Sequence, residues 1–212
     1  MAELDPFSGA IASEAELREH YDAPLERAVR KELQHLDEMA RRLIAVAPIV
    51  LVASHDADGR CDVTPRGGQP GFVTVLDDDH LAIPDATGNN RLDTLRNVVA
   101  TSHAGLIFLI PGRDQTLRVN GAARVSAEPA LLERLEPVGK PPKSAIVVRA
   151  DEVYAHCPKA FVRSKLWNPD TWPDPAVLPT PAEVSVAHQR DPDWSVAQEE
   201  QRQADALLHR LD

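Results

Sequence analysis

The middle of this chain alternates short apolar runs with turn residues, and this spacing constrains the fold more than any other feature. Turn sequences such as DADG at 56–59 and DDD at 77–79 are typical of hairpins. Six or seven β segments are predicted, at residues 49–54, 60–64, 72–76, 80–83, 104–110, 116–125 and 144–156. Because strands so close in sequence leave little room for crossover helices, the pattern favours an antiparallel barrel over a doubly wound sheet.

Helical patterns flank this β region on both sides, so the expected class is mainly β with flanking helices. Apolar residues recur three or four apart over residues 14–46, and Pro24 divides the pattern into two predicted helices. The expected organisation is an N-terminal helical extension at 1–47, a β domain at 48–157, and a C-terminal part at 158–212. That last part comprises a helix at 158–166, an extended proline-rich segment at 168–192 and an amphipathic helix at 194–211.

Composition limits the classes of ligand and partner. The 212 residues carry a formal net charge of −10, which disfavours attraction to nucleic acid or to an anionic membrane surface. No apolar run approaches the length of a membrane span and no signal peptide is evident, so a cytoplasmic location is expected. Two cysteines and eight scattered histidines without a ligand-like spacing predict no metal site. An anionic ligand would therefore need a local cluster of cations.

The segment LAIPDATGNNRLDTL at 81–95 is typical of an anion site. An apolar run stops at Pro84, and a loop containing Gly88 leads into a predicted helix at 91–98 with Asn90 as its N-cap. A helix N-terminus presents unpaired N–H groups and a partial positive charge, and Arg91 adds a planar donor suited to phosphate oxygens. The alternative is ordinary loop chemistry with a solvated arginine.

Two further segments carry candidate ligand-binding residues. In TPRGG at 64–68, Pro65 is expected to end strand pairing and to present Arg66 from an irregular turn, with a plain loop arginine as the alternative. In TLRVNG at 116–121, strand alternation places Leu117 and Val119 on one face and Arg118 on the other, towards solvent or a ligand groove.

The segment HCPKAFVRSKLW at 156–167 concentrates positive charge. Lys159 and Arg163 lie four apart on a predicted helix, and no carboxylate occurs between Glu152 and Asp170. An anionic ligand would explain this cluster, and Trp167 could stack on a flat ring. The alternative is a structural tryptophan that anchors the helix.

Taken together, these segments resemble the FMN-binding split-barrel proteins related to pyridoxamine 5′-phosphate oxidase, and within them a bacterial subgroup of FMN-dependent members. The resemblance spans residues 22–172, and it rests on the order and joint occurrence of motifs that are individually weak. They are DVTPRGGQPGFV (62–73), LAIPDATGNNRLDTLRN (81–97), TLRVNGAARV (116–125), GKPPKSAIVV (139–148) and HCPKAFVRSKLW (156–167). Ala86 and Asn90 stand where arginines are common, which places more of the phosphate contact on Arg91 and other groups.

The resemblance implies a six-stranded antiparallel split β-barrel and a homodimer with two FMN sites at its interface. It assigns the cofactor phosphate to Asn89, Asn90 and Arg91. It places the following residues along the isoalloxazine ring and ribityl chain: Thr64, Arg66 and Asp85, with Thr116, Leu117 and Arg118 nearby. It gives the substrate side to residues that the other subunit would supply: Lys159, Arg163, Ser164 and Trp167.

The expected function is that of an FMN-dependent oxidoreductase that acts on a small organic substrate by hydride or electron transfer. No GxGxxG motif follows a strand, so NADH or NADPH would act only as a transient donor. No catalytic residue is assigned. The alternative is a non-catalytic flavin or tetrapyrrole (haem) binding protein that serves as a carrier, sensor or store.

Overall fold

The computed structural model describes residues 5–86 and 88–209. The chain divides into two compact units, Met1–Glu32 and Leu33–Asp212. This division falls inside the range 1–47, over which the sequence predicts a helical extension.

The first unit contains two short helices, α1 (Glu14–His20) and α2 (Glu26–Arg30), separated at Pro24 as expected. The side chain of Ser13 caps α1 by accepting a hydrogen bond from the Glu16 backbone N–H.

The second unit begins with a bridge between Leu33 and Val153, whose backbones exchange hydrogen bonds of 2.9 and 2.7 Å. This bridge takes the chain out of helical geometry before α3 (Glu38–Val46), so the pattern over 14–46 forms three helices instead of the predicted two.

Eight strands and five more helices follow within the described residues. The strands are β1 (Ile49–His55), β2 (Cys61–Gly67), β3 (Thr74–Val75), β4 (His80–Pro84), β5 (His103–Leu109), β6 (Thr116–Ser126), β7 (Ala145–Arg149) and β8 (Glu152–His156). The helices are α4 (Asp93–Thr101), α5 (Pro129–Leu132), α6 (Lys159–Ser164), α7 (Pro181–Gln189) and α8 (Val196–His209). The expected class, mainly antiparallel β with flanking helices, is confirmed, but the strands number eight rather than six.

All strand pairs are antiparallel, and the order β2-β1-β5-β6-β7-β4-β3 leaves β2 and β3 at the open ends. The long strand β6 belongs to two sheets. Its first half pairs with β5 and β8, and its second half pairs with β7. The single strand predicted at 144–156 is therefore two strands, and this accounts for part of the difference in strand number.

Gly121 is the point at which β6 changes partner. The backbone N–H of Asp151 donates to the Asn120 carbonyl at 3.0 Å, which brings the bend between β7 and β8 over β6. A Cβ built on Gly121 would lie 1.8 Å from the Arg149 carbonyl oxygen, a distance that no side chain tolerates. The crossing therefore requires glycine at this position.

The core lies where the two sheets face each other and where α3 and α4 cover them. Inward residues alternate along β1 and β5, and Val50, Val52, Leu106 and Phe108 are each at most 1% exposed. The helix α4 packs against β1, and the buried Asn97 amide donates to the Ser54 hydroxyl at 3.0 Å.

The C-terminal segment is more helical than the sequence predicts. The proline-rich region contains α7 and two single 3₁₀ turns, Pro169–Thr171 and Pro175–Val177, instead of being extended throughout. A reciprocal capping box between Thr180 and Glu183 starts α7. The terminal helix is described to His209, so the predicted end at residue 211 lies outside the described residues.

A buried carboxylate, Glu199, organises this part of the chain. Its side chain is fully buried and accepts hydrogen bonds from Arg202 at 2.6 and 2.8 Å, from Gln203 at 2.9 Å and from Trp194 at 3.0 Å. The Arg202 guanidinium, more than any other group, holds the pKa of Glu199 well below its ordinary value of 4.5.

Within the described residues, no helix is long and apolar enough to cross a bilayer.

Candidate functional site

The edge strand β2 presents three polar side chains on one face. Exposure alternates along the strand, so that Asp62, Thr64 and Arg66 are half-buried while their neighbours are exposed. Pro65 does not end the pairing as predicted, because it lies opposite Leu51 within the β1–β2 ladder. An edge strand tolerates proline since one side needs no donor. Arg66 therefore projects from a regular strand and not from a loop.

The loop after β4 lies across from this face. Asn90 and Leu92 both adopt left-handed backbone conformations, with φ of 60° and 59°. The helix α4 begins at Asp93, so Asn90 is not its N-cap as predicted; Leu92 occupies that position and makes no side-chain cap. The Asn89 side chain instead accepts a hydrogen bond from the Arg91 backbone N–H at 3.0 Å. The start of α4 thus keeps backbone donors that no side chain caps, in a loop whose conformation is costly for non-glycine residues.

Arg66 and Asp85 join these two elements. Nη1 of Arg66 donates to Oδ1 of Asp85 at 2.8 Å, and each side chain is 20% exposed. Nε of Arg66 is buried without a hydrogen-bond partner among the described residues. An unsatisfied buried donor is rare in native proteins, and it marks a place where a bound acceptor would be stabilising.

Two further contacts fix the start of α4 relative to β2 and to the loop after β4. Nε of Arg91 donates to Asp93 at 2.7 Å, and the Thr94 hydroxyl donates to the Asp62 carboxylate at 2.8 Å. Thr94 lies in the first turn of α4, so its bond to Asp62 ties the helix start to β2. The positions of the loop and of the strand face are therefore coupled.

These elements enclose a cavity of about 550 Å³, a size typical of small-molecule sites. Its described lining carries four cationic and three anionic side chains, in a protein whose formal net charge is −10. Its lining residues are Asp62, Thr64, Arg66, Asp85, Ala86, Gly88, Asn89, Asn90, Arg91, Leu92, Asp93, Thr94, Lys140, Pro141 and Lys143.

Six of the nine predicted cofactor residues meet in this cavity: Thr64, Arg66, Asp85, Asn89, Asn90 and Arg91. The other three do not line it. Thr116 and Leu117 are buried in β6, each 4% exposed. Arg118 instead donates to the Tyr154 hydroxyl at 2.9 Å, across the β6–β8 pair.

The predicted substrate residues also lie outside this cavity lining. Lys159 and Arg163 are exposed on α6, four residues apart as expected, and the Ser164 hydroxyl donates to the Phe161 carbonyl. Trp167 stacks on Phe161 with ring centroids 5.9 Å apart, and its indole N–H donates to the Arg113 carbonyl at 3.0 Å. These contacts are those of the anchoring tryptophan that the sequence left as an alternative, and a ligand-binding role for Trp167 stays a prediction.

Lys140 and Lys143 are the two cations of the cavity lining that sequence reasoning missed. They belong to the GKPPKSAIVV motif, which contributed to the resemblance but received no role. The available signal was two lysines beside two prolines immediately before a strand, in an acidic chain. The spacing alone could not show that this segment reaches the loop after β4, because that contact depends on the pairing of β4 with β7.

The residues present suit a phosphorylated flavin. Cationic side chains, an α4 start without a side-chain cap and the unpartnered Nε of Arg66 supply donors for phosphate and carbonyl oxygens. None of the described residues that line the cavity is aromatic, so they offer no stacking surface for a flat ring. Such a ring would need cover from elsewhere.

Comparison with known proteins agrees with the fold. A family model described as pyridoxamine 5′-phosphate oxidase matches residues 36–157, more than half of the chain and a range that contains all eight strands. The resemblance drawn from the motifs is thereby confirmed. Among curated proteins, none matches this chain.

Several solved structures are similar to part of the chain. HupZ of Group A Streptococcus is 19% identical and aligns over 56% of this chain and 92% of its own, with a TM-score of 0.46. A candidate pyridoxamine 5′-phosphate oxidase of Lactobacillus delbrueckii is 25% identical over 58% of this chain and 98% of its own, with a TM-score of 0.46. An FAD-binding protein of Mycobacterium smegmatis is 13% identical over 58% and 97%, with a TM-score of 0.40.

Proposed function

Since this chain belongs to the pyridoxamine 5′-phosphate oxidase family, we propose that it is an FMN-dependent oxidoreductase acting on a small organic substrate by hydride or electron transfer. The observation that carries the proposal is the cavity between β2 and the start of α4. It gathers most of the predicted flavin residues around an excess of positive charge. A neutral or acidic cavity would not suit a phosphorylated cofactor.

In this proposal, the chain binds and orients the cofactor while FMN supplies the redox chemistry. Asn89, Asn90 and Arg91 contact the phosphate at the start of α4. Thr64, Arg66 and Asp85 lie along the ribityl chain and the ring. The ion pair of Arg66 with Asp85 holds the guanidinium in place, so that its unpartnered Nε needs little reorganisation to donate to a flavin oxygen.

We assign the remaining wall of the site to a second copy of the chain. The described lining contains no aromatic residue, and the cationic face of α6 is exposed. A homodimer would bring the partner's α6 and the residues after it to the cavity, with Lys159, Arg163, Ser164 and Trp167 against the substrate. Arg118 and the backbone of Thr116 and Leu117, whose side chains are buried in β6, would lie near the flavin. NADH or NADPH would enter this shared site as a transient donor.

The cavity supports the alternative function, that of a haem carrier, less well. Haem iron requires an axial ligand such as histidine, cysteine, methionine or tyrosine. None of the described residues lining the cavity is of these types. A flavin binder without catalysis has the same cavity requirements as the enzyme, so only kinetics separates those two functions.

The test is to purify the protein and record its absorption spectrum before and after addition of FMN. Flavin bands that stay with the protein through gel filtration are expected, whereas a Soret band would overturn the cofactor assignment. Anaerobic addition of NADH or NADPH should then bleach the flavin band, and a substrate panel should restore it. Retained FMN with no reduction by either donor and no turnover of any substrate would support the binder.

A further inference from the structure

We infer that Lys140 and Lys143 are the principal phosphate-binding cations of the cavity, and that Arg91 is secondary; this inference rests on the proposed binding of FMN. It changes the assignment made by resemblance, which gave the phosphate to the loop at 89–91. The lysines belong to a different segment, the one that enters β7.

The first argument is the availability of charge. Arg66 donates to Asp85 and Arg91 donates to Asp93, so both arginines already have a carboxylate partner. Lys140 and Lys143 have no ion pair or side-chain hydrogen bond within residues 5–86 and 88–209, and both are exposed. Because a paired arginine is partly neutralised, the positive charge open to a ligand comes mainly from the two lysines.

The second argument is position. Pro84 lies opposite Ala145 in the β4–β7 ladder, and the Asp85 backbone N–H donates to the Ser144 carbonyl at 2.9 Å. This register continues the pairing one residue beyond each strand. Lys143 is therefore held beside the start of the loop that follows β4 by backbone bonds, whatever its side chain does.

The third argument is the chemistry of the two side chains. Lysine binds phosphate as a compact point charge with three rotatable donors, so it does not need the fixed planar geometry of arginine. Long exposed side chains lose conformational freedom when they bind, and a dianionic phosphate monoester offsets this cost better than a neutral group does. The two lysines should thus distinguish FMN from riboflavin, which lacks the phosphate.

The experiment compares the affinities of the apoprotein for FMN and riboflavin by quenching of flavin fluorescence. The variants are Lys140→Gln, Lys143→Gln and the double variant. Arg134→Gln is the matched control, because Arg134 is an exposed cation before the same segment that does not line the cavity. Riboflavin affinity also serves as a check that each variant keeps its fold, since that ligand needs the cavity but not the phosphate contact.

Each single lysine variant should lose about tenfold in FMN affinity, and the double variant more, while riboflavin affinity and the control stay within about twofold of wild type. The FMN affinity of the wild type should also fall more steeply with salt than that of the double variant. Unchanged FMN affinity in the double variant, or an equal loss for both flavins, would overturn the inference. A wild-type protein that binds neither flavin would instead overturn the proposed function.

Discussion

Nη1 of Arg66 lies 2.8 Å from Oδ1 of Asp85, and this ion pair connects the edge strand β2 with the loop that follows β4. Each side chain is only 20% exposed, so water could not fully replace the ion-pair partner of Arg66 or of Asp85. The pair is therefore both part of the candidate cavity and a structural link between segments that lie 19 residues apart in sequence.

Removal of Asp85 should destabilise the protein even without flavin. The Asp85→Ala variant leaves the Arg66 guanidinium half-buried and unpaired, which should lower the free energy of unfolding by about 2–3 kcal/mol. Urea denaturation measures this change. The matched control is Asp78→Ala, whose partner is Arg41 and whose side chain is 86% exposed; it should cost less than about 1 kcal/mol. Equal losses in the two variants would contradict the structural role given to Asp85.

Gly121 should tolerate no side chain. In Gly121→Ala, the new Cβ would meet the Arg149 carbonyl oxygen at 1.8 Å, so the bend between β7 and β8 must move away from β6. We expect a loss of more than about 3 kcal/mol in the free energy of unfolding, or insoluble protein. Gly88→Ala is the control for folding, because its Cβ would meet nothing closer than the Ala86 carbonyl at 4.0 Å. A Gly121→Ala protein with wild-type stability would show that the two strands do not cross there.

Protonation of Glu199 should weaken the C-terminal helices. Its pKa is lower in the folded chain than the ordinary value of 4.5, so the unfolded chain binds the proton more tightly and the stabilisation is present above pH 4.5. The stabilisation is lost progressively as the pH falls below 4.5 towards the folded pKa. The difference in unfolding free energy between wild type and Glu199→Gln should therefore shrink from pH 7 to pH 3, measured by denaturation followed by circular dichroism. A difference that stays constant with pH would contradict the hydrogen-bonded carboxylate.

Arg91 and Asp93 should have opposite effects on FMN affinity. Arg91→Ala removes a cation that is already paired, so we expect a loss of about fivefold, smaller than that of either lysine variant. Asp93→Asn removes a carboxylate from the cavity and releases Arg91, so FMN should bind more tightly. Fluorescence titration of the apoprotein measures both. A larger loss of FMN affinity in Arg91→Ala than in Lys143→Gln would instead assign the phosphate contact to the loop at 89–91.

Mixing of two impaired variants, assayed at an FMN concentration that limits the first, tests the shared site. One variant carries Lys140→Gln and Lys143→Gln in the cavity, and the other carries Lys159→Ala and Arg163→Ala on α6. If the partner subunit supplies α6, a mixed dimer contains one intact site, and the rate of flavin reduction by NADH or NADPH should partly recover after subunit exchange. Sedimentation confirms that dimers are present. No recovery in a mixture that contains mixed dimers would place all four cations in one subunit's site.

Local sequence was sufficient to predict structural features that depend only on neighbouring residues. The alternation of Leu117 and Val119 with Arg118 predicted which side of β6 is buried, and Lys159 and Arg163 lie on one helix as expected. Side chains alternate along any strand and repeat along any helix, so these predictions need no knowledge of the partner segments. The family resemblance likewise followed from the order of motifs along the chain.

The tertiary structure decided what depends on distant partners. Pro65 does not break β2, because that strand lies at an edge of the sheet. Asn90 does not cap α4, because the loop continues through Arg91 and Leu92 before the helix begins at Asp93. Lys140 and Lys143 join the cavity only because β7 pairs with β4. The sequence by itself predicted most of the strands, their faces and a loop suited to an anion before α4. The pairing of segments far apart in the chain decided which charges meet there and which of them have no ion pair among the described residues.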